Sequence, residues 1–301
     1  MAWHTGRVQL QQLTYFVAVA EARHFTRAAD ITGVSQPTLS KQIRSLENSL
    51  GTPLFVRTRS GVDLTPAGEA LLPHARRIVI DVANAERSVH EVANLRRGRV
   101  KLGATPSVID GLLPDVLRDF RRDYPEIELE IHEAGSRVLT DQLLAGRLDI
   151  AVLIVPLATR SPDIETHLVF RERLVLASPP DDPRPERISV AELCDLPLVM
   201  FREGYDLRDV TVRACARAGF EPRFAVEGGE MGAVLRFVEA GLGHAVVPEI
   251  VMASRGDLHR SWIEDPPLAR EVAVAHRDVG SLPLAARAFR DLLLDSLGSA
   301  D

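Results

Sequence analysis

Residues 34–51 read VSQPTLSKQIRSLENSLG, and this stretch decides how the first part of the chain folds. Leu39, Ile43 and Leu46 fall at about 0°, 40° and −20° around a helix that advances about 100° per residue, so they form one apolar face. Ser35 is a residue type that caps helix N-termini, and Gly51 is one that ends helices. The stretch therefore predicts a single helix between these two residues.

The opposite face of this helix is polar and basic and carries no acid. It holds Pro37, Thr38, Ser40, Lys41, Arg44 and Asn48. Such side chains reach base edges and phosphates, and the free N–H groups of a helix N-terminus suit a phosphate. The preceding residues predict two helices, the second starting near Thr26 as its N-cap. Residues 54–64 predict a two-stranded hairpin. This is the order of a winged helix-turn-helix, and a three-helix bundle with a solvated polar face is the alternative.

Charge is divided unequally along the chain. The net charge of the 301 residues is −6, but residues 1–99 carry +5 and residues 100–301 carry −11. A basic module joined to an acidic remainder is expected when only the first module contacts a polyanion such as DNA.

A long helix is predicted from Pro66 to about Arg97, with Pro73 bending but not breaking it. Apolar residues recur along it at alternating steps of three and four, as in a coiled-coil seam. These candidate dimerisation residues are Ala75, Ile78, Val82, Ala85, Val89 and Val92. A helix packed only on its own domain is the alternative.

From Arg99 onward, predicted strands and helices alternate in two series, which indicates an α/β fold with largely parallel sheets and two lobes. The predicted strands are residues 100–104, 127–131, 148–155, 174–177, 198–201, 223–226 and 245–247. The predicted helices are residues 112–123, 138–144, 207–218 and 231–240.

The residues of the first part resemble the signature of LysR-type transcriptional regulators from about Leu10 to Gly68. The resemblance rests on Ala28-Ala29, on residues 34–43, on Leu46-Glu47 and Leu50-Gly51, and on Leu54-Phe55, Arg57 and residues 64–68. Thr32 departs from the leucine usual in the family, and we expect Ile31 to fill that space. Residues 102–107, 146–151 and 239–248 resemble, more loosely, the family's effector domain, which is similar to periplasmic solute-binding proteins.

The resemblance implies a sequence-specific, DNA-binding transcription regulator built from three parts. Residues 1–65 would form the winged helix-turn-helix domain, 66–98 the linker helix and 99–301 the effector domain. In the effector domain, lobe I would comprise 99–167 and 268–301, and lobe II 168–267. The implied DNA-binding residues are Arg27, Ser35, Gln36, Pro37, Thr38, Ser40, Lys41, Arg44, Arg57 and Arg59. The implied partners are an interrupted palindrome in double-stranded promoter DNA, a further copy or copies of the chain in a homodimer or homotetramer, and RNA polymerase.

Candidate effector-binding residues follow the ends of predicted strands, where ligands collect in α/β sheets. They are Thr105, Ser107, Ser136, Phe201, Arg202 and Glu203. Helix termini and hydroxyls favour an anion such as a carboxylate, with Arg202 as its ion-pair partner, whereas Glu203 and Glu230 oppose this interpretation. An ordinary cap or loop role is the alternative for each. His244 is either a tuning residue or a packed histidine.

Other functional classes find little support in the sequence. No nucleophile, metalloprotease or nucleotide-loop motif is present, and the nine histidines show no metal-ligand spacing, so we expect no enzyme, no metal and no cofactor. Cys194 and Cys215 are too few for a disulfide framework and leave a redox switch as a minor alternative. Without a signal segment or a membrane-length apolar run, the chain is expected to be soluble and cytoplasmic.

Two rival interpretations remain. One is a small-molecule-binding protein whose N-terminal bundle serves only dimerisation. The other is a metabolic enzyme with an accessory DNA-binding domain, which would need a convergent acid, base or nucleophile.

Overall fold

A computed structural model describes residues 8–58, 61–93, 98–155, 161, 163–253, 255–277 and 282–297. The chain divides into two compact units, Met1–His90 and Glu91–Asp301, and each is described by itself. No helix among the described residues is long and apolar enough to cross a membrane.

The first unit contains three helices, a hairpin and the start of a long helix. The elements are α1 (Leu10–Ala22), α2 (Phe25–Thr32), α3 (Gln36–Leu50), β1 (Phe55–Thr58), β2 (Gly61–Leu64) and α4 (Pro66–Ala93). Ser35 caps α3 by accepting a hydrogen bond from the backbone N–H of Thr38 at 3.4 Å, as predicted. The predicted cap of α2 is wrong, because the ring of His24 accepts the N–H of Thr26 at 3.2 Å.

The apolar face of α3 anchors this unit. Leu39, Ile43 and Leu46 are buried in one cluster with Phe16 and Leu54. The expectation for Ile31 is wrong: its side chain is 72% exposed. The Thr32 hydroxyl instead donates a hydrogen bond to the backbone carbonyl of Ala28, four residues earlier in the same helix, at 2.8 Å.

Helix α4 continues through Pro73 without a break. Ala75 is fully buried in the core of the first unit, so this chain's own packing already covers one end of the predicted seam. Ile78 is 45% exposed, Ala85 is exposed and Val82 is half-buried. The remaining two seam positions, at 89 and 92, lie outside the described side chains.

The second unit begins with a lobe built on a mixed sheet. Its elements are β3 (Gly98–Ala104), α5 (Pro106–Gly111), α6 (Leu113–Asp123), β4 (Ile127–Glu133), α7 (Ser136–Leu144), β5 (Ile150–Val155), β6 (Ile164–Ser178), β12 (Ala269–Arg277) and α10 (Leu284–Leu297). The strand order is β4-β3-β5-β12-β6. Strands β3, β4 and β5 are parallel, but β12 is antiparallel to both its neighbours, which corrects the expectation of largely parallel sheets.

Strand β6 runs through both lobes of this unit. Its first part pairs with β12, and Leu174–Ser178 pairs with β10 and β11. The sequence predicted only residues 174–177 as strand, because the exposed and charged residues before them break the apolar run. The expected lobe boundary between residues 167 and 168 falls inside this continuous strand.

The other lobe surrounds the far end of β6. Its elements are β7 (Arg187–Ser189), a 3-10 turn (Val190–Asp195), β8 (Leu198–Phe201), α8 (Asp206–Arg217), β9 (Phe224–Gly229), α9 (Met231–Glu239), β10 (Ala245–Pro248), a second 3-10 turn (Glu249–Met252) and β11 (His259–Glu264). Leu174, Val199, Phe201 and Leu235 lie in its buried core. The chain then returns through β12 and α10, whose Phe289 is buried against Phe120 of the first lobe.

Candidate DNA-binding surface and effector cleft

The polar face of α3 is open to solvent. Six of its predicted contact residues are exposed: Ser35, Gln36, Pro37, Thr38, Lys41 and Arg44. Ser40 is half-buried. The next acidic residue on α3, Glu47, does not join this face. Its carboxylate accepts the backbone N–H of Leu54 at 2.8 Å, just before the hairpin begins. The exposed face is thus left without a carboxylate.

Four cations of the first unit are free to meet phosphate. Arg27, Lys41, Arg44 and Arg57 are exposed, and none has an ion-pair partner among the residues described. Arg59, the other predicted hairpin cation, lies outside the described residues. Exposed cations without ion-pair partners are available to bind a polyanion.

Short hydrogen bonds order the start of α3. The hydroxyls of Ser35 and Thr38 are 2.8 Å apart, and the Gln36 amide donates to Ser40 at 2.9 Å. Sequence reasoning missed Gln12, which is buried on α1 and donates to the Ser45 hydroxyl at 3.1 Å. The sequence could have indicated this residue, because a glutamine stands at a position where the apolar stripe of α1 faces the core.

The predicted effector residues lie in the second unit, and one of them, Ser136, is held in a contact that crosses between its lobes. Ser136, the first residue of α7, donates to Asp206 Oδ2 at 2.9 Å and accepts the N–H of Ile154 at 3.1 Å. Ser107 accepts from Arg270 Nη2 at 2.8 Å. Arg270 is itself bound to the Glu172 carboxylate.

Three of the seven buried polar atoms in this unit that lack hydrogen-bond partners among the described residues belong to predicted effector residues or to side chains in contact with them. They are the hydroxyl oxygens of Thr105 and Tyr205 and one carboxylate oxygen of Glu230. Burying an unsatisfied polar atom costs free energy, and a buried orphan in a native structure calls for an explanation such as a ligand or water. Tyr205 was missed by the sequence analysis, and it stacks on the buried Phe201 with ring centroids 4.6 Å apart.

Acidic groups lie near the Tyr205 hydroxyl. Burial raises the pKa of Tyr205, the Arg270 charge opposes that shift, and Glu230 adds to it. Desolvation likewise raises the pKa of Glu133, with repulsion from Asp110 and Glu230 acting in the same direction. Negative charge close to these atoms disfavours a polyanionic ligand.

Arg202 does not stand free to bind an anion. Its Nε is hydrogen-bonded to Glu230, and its Nη1 donates to the carbonyl of Glu203 at 3.1 Å. The side chain of Glu203 is exposed, whereas Phe201 is fully buried in the lobe core. The structure therefore brings Ser136 into the contact between the lobes, places Ser107 on the Arg270–Glu172 pair, and stacks Phe201 on Tyr205.

His244 is packed rather than ligand-facing. It is 1% exposed and bonded to Ser178 Oγ at 3.0 Å and Asp182 Oδ2 at 3.1 Å. Burial lowers its pKa, helped by Arg184 and opposed by Asp182. A serine, a histidine and an aspartate in contact suggest a hydrolase, but Ser178 is fully buried, so no substrate reaches its hydroxyl.

One of the two cysteines, Cys215, is poorly placed for oxidant sensing. Cys215 is fully buried on α8, and burial raises the pKa of its thiol to about 11. Since the thiolate is the reactive form, this cysteine is inert at neutral pH. Cys194 is exposed.

Two family models match the chain. Residues 10–69 match the family described as bacterial regulatory helix-turn-helix protein, lysR family, and residues 93–298 match the LysR substrate binding domain. Together they cover both units.

Similar proteins cover nearly the whole chain. The transcriptional dual regulator GltC of Bacillus subtilis is 30% identical over 291 residues, which is 95% of this chain and 97% of GltC. The structure of a cysteine-to-aspartate variant of full-length OxyR from Pseudomonas aeruginosa matches with a TM-score of 0.72 at 30% identity, over 97% of this chain and 95% of that one. Full-length CbnR, solved in complex with its target DNA, matches with a TM-score of 0.62 at 27% identity, over 96% and 100%.

Proposed function

Because the chain belongs to the LysR family of DNA-binding transcription regulators, we propose that α3 reads promoter DNA in the major groove while the second unit senses a small molecule. The observation that carries this proposal is the two-sided α3, with leucines and isoleucine buried beneath and a cationic polar face left open. The family is non-enzymatic, and the chain is a regulator rather than an enzyme.

The proposed DNA contacts divide by type. Residues of the first turns of α3, from Ser35 to Ser40, would meet base edges, and Lys41 and Arg44 would meet bases or phosphates. Arg27 and the hairpin cations Arg57 and Arg59 would bind the backbone on either side. Phosphate contacts position the protein, and base contacts specify the sequence.

The proposed assembly is a homodimer or homotetramer joined through α4. The exposed Ile78 and Ala85 support this, because an unpaired apolar helix face gains free energy when a second copy covers it. A two-fold protein would bind an interrupted palindrome with half-sites about one helical turn apart. We place the DNA-binding part at 1–65, the linker at 66–98 and the effector part at 99–301, in the cytoplasm, with RNA polymerase as a further partner.

The proposed effector is a small monocarboxylate that binds between the lobes. Asp206 of one lobe already places a carboxylate on Ser136, the first residue of α7 in the other lobe. An effector carboxylate would take the place of Asp206, because helix N-termini and hydroxyls favour an anion. The orphan hydroxyls of Thr105 and Tyr205 would bind its other polar groups.

Exchange of Asp206 for an effector would change how the lobes are held together. Such a change is regulatory only if the effector binds the two lobe arrangements with unequal affinity. A solute-binding protein that does not bind DNA is the rival function, and it predicts no promoter binding at all.

The salt dependence of DNA binding tests the proposal. Lys41→Ala should lower the slope of log K against log salt by about one unit on DNA flanking the protein's own gene, since one phosphate contact is lost. Arg121→Ala, an exposed cation on α6 of the second unit, is the matched control and should leave the slope unchanged. An unaltered slope in Lys41→Ala removes that residue from phosphate contact, and absence of any duplex binding favours the rival.

A further inference from the structure

Glu165, His167 and His276 gather three metal-ligating side chains at one end of the first-lobe sheet. Their ligand atoms all lie within 4.8 Å of one another. Strands β6 and β12 are antiparallel, and Glu165 is paired directly with His276. His167 lies two residues along β6 from Glu165, so both side chains leave the same face of the sheet. Sequence spacing hides this cluster because its members come from strands far apart in the chain.

His276 is held in the tautomer that binds metals. Its Nδ1 lies 3.1 Å from the carbonyl oxygen of Arg277. A carbonyl only accepts, so Nδ1 carries the hydrogen, and the lone pair of the neutral ring is on Nε2. A histidine that donates one ring N–H to a backbone carbonyl and points the other nitrogen at the ion is the usual arrangement in metal sites.

The other ring nitrogen of His276 has no hydrogen-bond partner among the described residues. The residue is 5% exposed, and Nε2 is a buried orphan that faces the Glu165 carboxylate at 3.9 Å. An ordinary hydrogen bond between Glu165 and His167 accounts for those two side chains. It does not give the buried Nε2 of His276 a partner.

The spacing of the ligand atoms suits a small divalent ion. Glu165 Oε1 lies 3.0 Å from His167 Nε2, and Glu165 Oε2 lies 3.9 Å from His276 Nε2. Two ligand atoms on a tetrahedral zinc ion, each bonded at about 2.0–2.1 Å, are about 3.4 Å apart. The two observed distances run from different oxygens of Glu165 and fall on either side of that value, so the carboxylate would turn to present one oxygen beside both histidines.

We propose that Glu165, His167 and His276 bind Zn²⁺, with the fourth position open to water. Two imidazoles and one carboxylate are a ligand set that zinc accepts in proteins. The Glu165 and His167 side chains are 45% and 38% exposed, which gives the ion a path from solvent. Bound zinc ties the start of β6 to the end of β12 and stabilises the first lobe, because it binds the folded chain only.

Isothermal titration of Zn²⁺ into the full chain, purified without a polyhistidine tag, tests the site. One ion per chain should bind with a Kd in the micromolar range or below, and Co²⁺ should give the visible absorption of a tetrahedral complex. His167→Ala and Glu165→Gln change exposed side chains and leave the core intact. Each should weaken Zn²⁺ binding by at least the roughly 10- to 100-fold that loss of a supporting residue costs at metal sites.

The pair Glu130 and His132 on β4 is the matched control. Its two atoms are 2.9 Å apart and its side chains are 41% and 37% exposed, much like the first two ligands. His132→Ala should keep the wild-type affinity for Zn²⁺. Three results overturn the proposal: no stoichiometric binding, equal affinity in His167→Ala and Glu165→Gln, or an equal loss of affinity in His132→Ala.

Discussion

Glu172→Gln should destabilise the second unit by about 3–5 kcal/mol, since it leaves the buried guanidinium of Arg270 without its counter-ion. Both side chains of the pair are 4% exposed, and their charged atoms are 2.7 Å apart. Glu172 also accepts the N–H of Ile250 at 3.1 Å, and Arg270 donates to Ser107. One carboxylate thus joins β6, β12 and elements of both lobes, and water cannot replace the lost charge.

The size of the effect follows from burial and not from distance. Arg118 and Asp115 on α6 are closer, at 2.6 Å, but 68% and 77% exposed. Their pair should contribute no more than about 1 kcal/mol, because solvent screens it. Asp115→Asn is therefore the control for Glu172→Gln. The distance between the charges alone would rank the two pairs in the opposite order.

Urea unfolding of the full chain measures this prediction. Trp262 lies on β11 in the second unit and Trp3 is the other tryptophan of the sequence, so all variants carry Trp3→Phe and the remaining fluorescence follows that unit. The unfolding midpoint should fall strongly in Glu172→Gln and barely in Asp115→Asn. A loss below about 1 kcal/mol in Glu172→Gln, equal to that of the control, would refute the assignment of a desolvated pair. The double variant Glu172→Leu with Arg270→Met should recover much of the stability.

Three further predictions concern single side chains. Asp206→Ala should raise the affinity for small carboxylates about three- to tenfold in calorimetry, since one competing hydrogen bond is removed. The control Asp209→Ala, an exposed residue in the first turn of the same helix, should leave the affinity unchanged. Equal affinities in the two variants would contradict the proposed displacement of Asp206. Gly243→Ala should lower the stability measured in thermal unfolding by about 1–3 kcal/mol, because φ is +144° and a carbonyl oxygen blocks a Cβ. Gly232→Ala, in open space on α9, should raise the stability by about 0.5–1 kcal/mol. The reverse order would refute the strain argument. In a Cys194→Ser background, Cys215 should not react with a thiol reagent at pH 8, where a pKa of about 11 leaves about one thiolate in a thousand. Rapid labelling of that folded variant would show that the Cys215 thiol is accessible.

The first unit was predictable because its signals are local. The period of Leu39, Ile43 and Leu46 and the capping hydroxyl of Ser35 each act within one helix, and the structure has them as expected. The predictions for this unit were wrong where a neighbouring residue made the contact expected of another. The ring of His24 took the capping role given to Thr26, and Thr32 bonds its own hydroxyl to the Ala28 carbonyl while Ile31 is exposed.

The second unit was less predictable because its contacts join distant parts of the chain. Spacing predicts alternating strands and helices, but it does not show that β12 returns antiparallel between β5 and β6. Nor does it show that Arg202 is paired with Glu230, or that Asp206 reaches Ser136. Such pairings depend on how distant segments are aligned in the fold, and the residue pattern of one segment does not show that alignment.

Sequence selection from a random duplex pool tests the central claim, that the open face of α3 reads DNA. The protein should enrich a two-fold symmetric motif, and Gln36→Ala or Thr38→Ala should relax the preference at fixed positions while non-specific binding persists. Selection that enriches no motif, or a motif unchanged by both substitutions, would contradict the claim.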